Sequence, residues 1–240
     1  MKAIILAAGR GSRMKDLTDQ KPKCLVELRG HTLLEWQLRA LREAGIDEIA
    51  IVTGYKQALL APYGLVEFHN PRWAETNMVT SLTSADQWLK SEPCIVSYSD
   101  IFYEASAVKS LMNDNHQLAV TYDPGWLKLW QKRFDNPLDD AETFKLNSDN
   151  TLAEIGEKPK SVDEVQGQYM GLLRFTPEGW EEVGLIRDGL TQLECDRMHM
   201  TGTLQMVIKA GRVAVYAIPY ERSWGEVDSA DDLKMYQAQA

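Results

Sequence analysis

Residues 2–24, KAIILAAGRGSRMKDLTDQKPKC, set a short apolar run, a glycine turn and a cluster of cations in immediate succession. Gly9 and Gly11 let the backbone turn sharply with its N–H groups free. Arg10, Arg13, Lys15, Lys21 and Lys23 follow, against Asp16 and Asp19. Backbone donors beside fixed cations suit a polyphosphate. The dinucleotide fingerprint asks for a third glycine where Met14 stands, and a P-loop asks for four residues between its glycines and then Gly-Lys-Ser/Thr, so neither fits. A lone Gly-x-Gly reads most simply as a strand-to-helix turn with solvated basic residues. The full string Leu6-Ala7-Ala8-Gly9-Arg10-Gly11-Ser12-Arg13, followed by Lys21-Pro22-Lys23, is far more specific.

That string resembles the signature of nucleotidyltransferases that join an NTP to a phosphomonoester, a family that includes sugar-1-phosphate nucleotidylyltransferases and, more similar still, bacterial choline-phosphate cytidylyltransferases. The resemblance runs along most of the chain and is strongest at its two ends. It implies that the Leu6–Arg13 loop wraps the nucleotide phosphates, that Ala8 and Gly9 touch the base through their backbone, and that Arg13 and Lys23 neutralise the phosphates as catalytic cations. The implied reaction is attack of a phosphomonoester oxygen on the α-phosphorus, with loss of pyrophosphate. Such a nucleophile already carries about −1.5 to −2 charge, so no serine nucleophile or histidine base is needed. The obstacle is repulsion between two anions, which cations and in-line positioning must overcome.

That requirement implies Mg²⁺, held by one or two carboxylates and phosphate oxygens. Asp100 follows the apolar strand Cys94-Ile95-Val96-Ser97, where ligands of open α/β sheets bind. Asp228 lies in Trp224-Gly225-Glu226-Val227-Asp228. Both match positions where family members hold the metal; alone, each would read as a turn or helix cap. Glu226 is a supporting candidate. Asn70–Leu82 resembles the segment that lies near the base in the choline-phosphate branch, so Asn77 and Ser81 join the nucleotide site; Thr76 or Asn77 would also cap the helix that starts there.

On the acceptor side, Gly156-Glu157-Lys158-Pro159 resembles the Glu-Lys-Pro segment of sugar-type relatives, which gives Lys158 an acceptor phosphate or else a solvated surface. Tyr122 and Tyr169 are further acceptor candidates. Trp126 and Trp130 share a helical face. With Asp135, Asp139, Asp140 and Glu142 they suit a cationic head such as choline, and they equally suit a lid packed on the sheet. His31, His69, His116 and His199 show no zinc spacing and read as structural or surface residues.

The elements that must position these groups alternate. Thr32-Leu33-Leu34-Glu35 is a capping box, and Gly45 closes its helix. Strands are predicted at 48–52, 65–68, 94–97 and 118–121, and helices at 78–90 and 104–114. This is an α/β pattern: a three-layer sandwich with a mostly parallel, Rossmann-like sheet. The second half adds an antiparallel excursion, with a hairpin across Ser148-Asp149-Asn150, a strand over 167–175, helices capped at Thr176 and Thr201, a strand at 213–216 and a last helix capped at Ser229. One domain over 1–240 is expected, nucleotide-binding over about 1–122 and acceptor-binding over about 123–225. Sugar-type relatives often add a C-terminal β-helix, for which this length leaves no room.

Composition bounds the function. Of 240 residues, 44% are hydrophobic and 25% charged, ordinary globular values. A net charge of −9 argues against nucleic acid as a partner. No apolar run approaches the ~18 residues of a membrane span. Three separated cysteines form no metal or disulfide pattern, and no signal peptide is evident, so a cytoplasmic location is expected. The expected partners are an NTP, CTP before the others, and a small phosphorylated alcohol, amine, amide or phosphonate such as phosphocholine; a homodimer is left open. The rival readings are a hexose-1-phosphate nucleotidylyltransferase using UTP, GTP or dTTP, and a nucleotide sensor without catalysis. A glycosyltransferase is disfavoured, because Ser97-Tyr98-Ser99-Asp100 lacks the first acid of an Asp-x-Asp pair.

Overall fold

Lys2–Ala7 (β1) is apolar without alternation because both of its faces are covered: Ile4 and Leu6 pack into one core cluster, Ala3, Ile5 and Ala7 into another. The computed structural model describes residues 1–238. After β1 come the short ribbon Glu27–Leu28 (β2) and His31–Thr32 (β3), helix Leu33–Glu43 (α1), and strands Ile49–Thr53 (β4) and Val66–His69 (β5). Helices Met78–Leu82 (α2) and Asp86–Leu89 (α3) lead to strands Cys94–Tyr98 (β6) and Ile101–Tyr103 (β7). Helix Ala105–Met112 (α4), strand Leu118–Asp123 (β8) and helix Trp126–Arg133 (α5) follow. The remainder is the hairpin Phe144–Leu146 (β9) and Leu152–Ile155 (β10), strand Gln168–Phe175 (β11), helices Pro177–Asp188 (α6), Gln192–Arg197 (α7) and Met200–Ala210 (α8), strands Val215–Pro219 (β12) and Trp224–Glu226 (β13), and helix Ala230–Gln237 (α9).

Seven strands form the main sheet in the order β12-β8-β11-β6-β1-β4-β5. β11 runs antiparallel to β6 and β8; the other neighbouring pairs are parallel. Leu34, Leu38 and Leu41 of α1 and Val108 and Leu111 of α4 cover one face. Trp180 and Val183 of α6 and Leu204 and Val207 of α8 cover the other. The chain is therefore the expected three-layer α/β sandwich with an antiparallel insertion. Each fully buried side chain of this size contributes about 1.5–3 kcal/mol.

Local signals explain the helix ends. Thr32 and Glu35 close the predicted capping box, Thr176 accepts from Gly179 N–H, and Ser229 caps α9. Three details differ from the sequence reading. The stretch 78–90 is broken by a 3₁₀ turn, Thr83–Ala85. α8 is capped by His199, not Thr201, because the imidazole Nδ1 accepts from Gly202 N–H while the Thr201 hydroxyl turns to Glu142. The antiparallel pair β7–β13, three residues in each strand, was too short to stand out, yet it brings Glu226 opposite Ile101. The expected domain span ends on residues 239–240, which lie outside the described residues.

The loop after β1 turns at Gly11, whose φ of 72° is left-handed. A Cβ there would stand 2.8 Å from Lys23 Cβ. Gly11→Ala therefore loses about 1–2 kcal/mol from backbone strain, or about 2–8 °C in Tm by thermal unfolding; an unchanged Tm would contradict this turn. Leu173, fully buried in β11, is expected to cost about 2–5 kcal/mol as Leu173→Ala in urea unfolding. A loss below about 1 kcal/mol would remove it from the close-packed core.

Candidate active site

Parallel strands β1 and β6 are neighbours, so the loops leaving their carboxyl ends emerge side by side. One carries Gly9–Arg13; the other carries Ser99 and Asp100. Between them lies a cavity of about 280 Å³ lined by Leu6, Ala8, Gly9, Gly11, Ser12, Arg13 and Lys23, with Trp73, Thr76, Asn77, Met78, Ser81 and Tyr98 to Asp100 opposite. A second cavity, about 480 Å³, is lined by Trp130, Asp140, Glu142, Thr143, Gln168 to Gly171, His199 to Thr201, Glu226 and Asp228 among others. Arg13, Asn77, Met78 and Tyr98 line both, so the two cavities adjoin.

Charged side chains fill that seam. Lys23 Nζ donates to Asp100 Oδ2 at 2.8 Å and to Asp228 Oδ1, and Arg13 Nη2 lies 2.9 Å from the same Asp228 oxygen. Arg133 donates to Glu226 and Asp232 and stands 3.8 Å from Asp228 Oδ2. Burial alone would push Lys23 down, but Asp100, Asp228 and Glu226 together raise its pKa above the usual lysine value. Burial would lift Asp228, yet Lys23, Arg13 and Arg133 hold it below the usual carboxylate range. Glu226 is driven up by burial and then by Asp228 and Asp100, against the pull of Arg133 and Lys23.

The donor set fits a hard divalent cation. Asp100, Glu226 and Asp228 each offer an oxygen, and the three lie within 4.8 Å of one another. Asp100 Oδ1 is buried with no hydrogen-bond partner among the described residues, an acceptor that a cation would satisfy. The Lys23 ammonium already stands among these carboxylates, where a positive charge belongs.

The other sequence candidates fall into two groups. Leu6, Ala8, Gly9, Gly11 and Ser12 line the first cavity, while Ala7 packs into the core beneath it and Arg10 is tied at the surface to Asp19. Asn77 caps α2 by accepting from Met78 N–H, and Ser81 accepts from Asn70 Nδ2 at 3.0 Å; both face the first cavity. Trp130 and Tyr169 line the second. Tyr122, Trp126 and Lys158 line neither cavity. Tyr122 is buried against Phe144. Trp126 is buried edge-on to Trp130 and donates through Nε1 to Val165 O, so the paired tryptophans pack rather than form a box. Lys158 donates to the carbonyls of Leu138 and Asp139, which its own hairpin brings within reach.

Sequence reasoning missed Tyr98, Thr143 and Thr201, gave no role to Arg133, and set His199 aside as structural or surface. His199 both caps α8 and lines the second cavity. A local signal existed for α7, whose Thr191 and Glu194 form a capping box. None marked Arg133 for the site or Thr201 as more than a helix cap, because the carboxylates they meet are more than fifty residues away in sequence.

A family model, the MobA-like NTP transferase domain, matches residues 3–143. A CTP:phosphoglutamine cytidylyltransferase from Campylobacter jejuni is 38% identical over 98% of this chain and 98% of its own. A choline-phosphate cytidylyltransferase from Streptococcus pneumoniae is 41% identical over 34% of this chain and 38% of its own. The solved structure of an inositol-1-phosphate CTP transferase from T. maritima superposes with a TM-score of 0.76 at 19% identity, covering 98% of this chain and 94% of that one, which is a likeness of fold. With its glycine loop, adjoining cavities and full-length relative, the chain belongs to the MobA-like NTP transferase family and is a nucleotidyltransferase.

Proposed function

We propose that this protein is a Mg²⁺-dependent cytidylyltransferase that transfers CMP from CTP to a small phosphorylated amide of the phosphoglutamine kind, releasing pyrophosphate. The observation that carries the reading is the cluster of Lys23, Arg13, Asp100, Glu226 and Asp228 at the seam of two cavities. The glycine-loop cavity takes the nucleotide, and the larger one takes the acceptor. The acceptor phosphate meets the α-phosphorus at the seam: a P–O bond forms, and the bond to pyrophosphate breaks. Lys23 and Arg13 reach the phosphates from where they now neutralise carboxylates. Asp100 and Asp228, with Glu226 beside them, would hold Mg²⁺, which supplies further neutralisation of the triphosphate.

Support for the acceptor class comes from the full-length relative's name and from the wall of the larger cavity. That wall offers carboxylates at Asp140 and Glu142, the carboxamide of Gln168, the hydroxyl of Thr201 and the Trp130 indole N–H, which is buried without a partner among the described residues. Burial raises both carboxylates above their usual pKa. Acceptors and donors together suit a tail with N–H groups and a carbonyl. A quaternary ammonium has no N–H to give and here would find one tryptophan face, that of Trp130, as Trp126 is sealed away. Phosphocholine is the second reading, favoured by Trp130 and the two carboxylates.

Pyrophosphate release measured for four NTPs against phosphoglutamine, phosphocholine, phosphoethanolamine, 2-aminoethylphosphonate and glucose 1-phosphate tests this reading. CTP with phosphoglutamine is expected to be fastest, and activity confined to the sugar phosphate would reject it. Asp100→Asn should abolish turnover in a folded protein; retained activity would dismiss the metal assignment. Lys23→Ala should slow turnover by at least about 10²-fold, the cost of removing one preorganised donor. A near-normal rate would take Lys23 out of the site.

A further inference from the structure

Arg133, the last residue of α5, has a wholly buried side chain. Nε donates to Asp232 Oδ1 at 2.9 Å, Nη1 donates to Glu226 Oε2 at 3.2 Å, and Nη2 lies 3.8 Å from Asp228 Oδ2. Its Cζ stands 5.0 Å from the ring centroids of Trp130 and of Phe134. The two Asp228 oxygens thus face different cations: Oδ1 meets Lys23 and Arg13, and Oδ2 faces Arg133.

These cations differ in freedom. Arg13 is two-thirds exposed, and Lys23, though buried against Asp100 and Asp228, lines the first cavity. Both can turn toward a phosphate. Arg133 cannot, because its fork is bonded to Asp232 at the start of α9 and to Glu226, and its wholly buried Cζ lies between Trp130 and Phe134, 5.0 Å from each ring centroid. When Lys23 and Arg13 leave, Arg133 is the cation that stays on Glu226 and Asp228. Burying a guanidinium costs desolvation energy, so its retention calls for a positional reason. We infer that Arg133 is a positioning residue: its rigid fork holds Glu226 and Asp228 at the seam in the arrangement that accepts a divalent cation, and it steadies Trp130 on the acceptor wall. This rests on the metal reading proposed above.

The test is Mn²⁺ affinity without nucleotide, read from the electron paramagnetic resonance signal of free Mn²⁺, with thermal unfolding alongside. Arg133→Lys keeps the charge and loses the fork. It should weaken Mn²⁺ binding about 10-fold or more, as changes behind a metal's ligands do. Unchanged affinity in folded R133K would overturn the inference. So would tighter binding in R133Q together with normal binding in R133K, the pattern of an arginine that merely opposes the metal's charge. Should both variants fail to fold, D232N loosens Arg133 from its far side while its side-chain oxygen can still accept from the Asp228 and Ser229 N–H groups, and S229A serves as its control, since Ser229→Ala loosens the α9 cap without touching the guanidinium. Weaker Mn²⁺ binding in D232N with normal binding in S229A supports the inference; equal behaviour of the pair overturns it. Wild-type protein that retains no Mn²⁺ would sink the metal reading and this inference with it. Wild-type binding that the variants leave intact would sink this inference alone.

Discussion

Lys23, Arg13 and Arg133 converge on Asp100, Glu226 and Asp228 where the carboxyl ends of β1 and β6 meet. A buried charge without a partner costs several kcal/mol, so none of these groups except the two-thirds exposed Arg13 is tolerable alone. Each is kept by the others, and this mutual dependence fixes distant parts of the chain. Lys23 follows the first strand, Asp100 follows β6, Arg133 closes α5, and Asp228 precedes the last helix. Asp232 then ties α9 back to Arg133. The same contacts that neutralise the cluster therefore join the N-terminal loop to the C-terminal helix.

The antiparallel strand supplies the second half of the site. A parallel β11 would carry its first residues to the opposite edge of the sheet. Reversed, it brings Gln168 to Gly171 to the rim where β6 ends, with Leu172 in register with Ser97 and Tyr169 with Tyr122. Gly171, at a φ of 77°, passes so close to Tyr98 that a Cβ would come within 2.8 Å of its ring. That close approach lets Tyr98 form part of both cavities. The β9–β10 hairpin and the start of α8 then close the far side with Thr143, Phe144, His199 and Thr201. The larger cavity is thus built from tertiary contacts among stretches of chain that are far apart in sequence.

This difference in construction decides what could be read from sequence. The side proposed for the nucleotide is built on a contiguous loop whose glycines and cations have fixed spacing, so it was legible that Gly9, Gly11, Arg13 and Lys23 would come together at one cavity. The sheet was legible too, because strands buried on both faces are uniformly apolar and α1 and α6 carry cap signals at their starts. The acceptor side has no such spacing. Trp126 and Trp130 lie on one helical face, yet one is sealed under Val165 and only the other reaches the cavity. Lys158 sits in a family-like motif, but two backbone carbonyls claim its ammonium. Arg133 looks like an ordinary basic residue at a helix end, with Lys132 beside it. Its burial depends on packing that no local pattern encodes.

Charge arithmetic at the seam connects the electrostatics to the proposed chemistry. Three side-chain cations, Lys23, Arg13 and Arg133, face four carboxylates, those of Asp100, Glu226, Asp228 and Asp232. The cluster is thus not positively charged before any substrate arrives, and the whole protein carries −9. Admitting a triphosphate and a phosphomonoester adds several negative charges to the same few ångströms. Turning Lys23 and Arg13 toward the phosphates helps the substrates but takes Lys23 from Asp100 and leaves Asp228 with Arg133 alone. Such an exchange is favourable only if another cation takes over the carboxylates. A divalent cation held by Asp100, Glu226 and Asp228, as proposed above, would meet that demand on charge grounds.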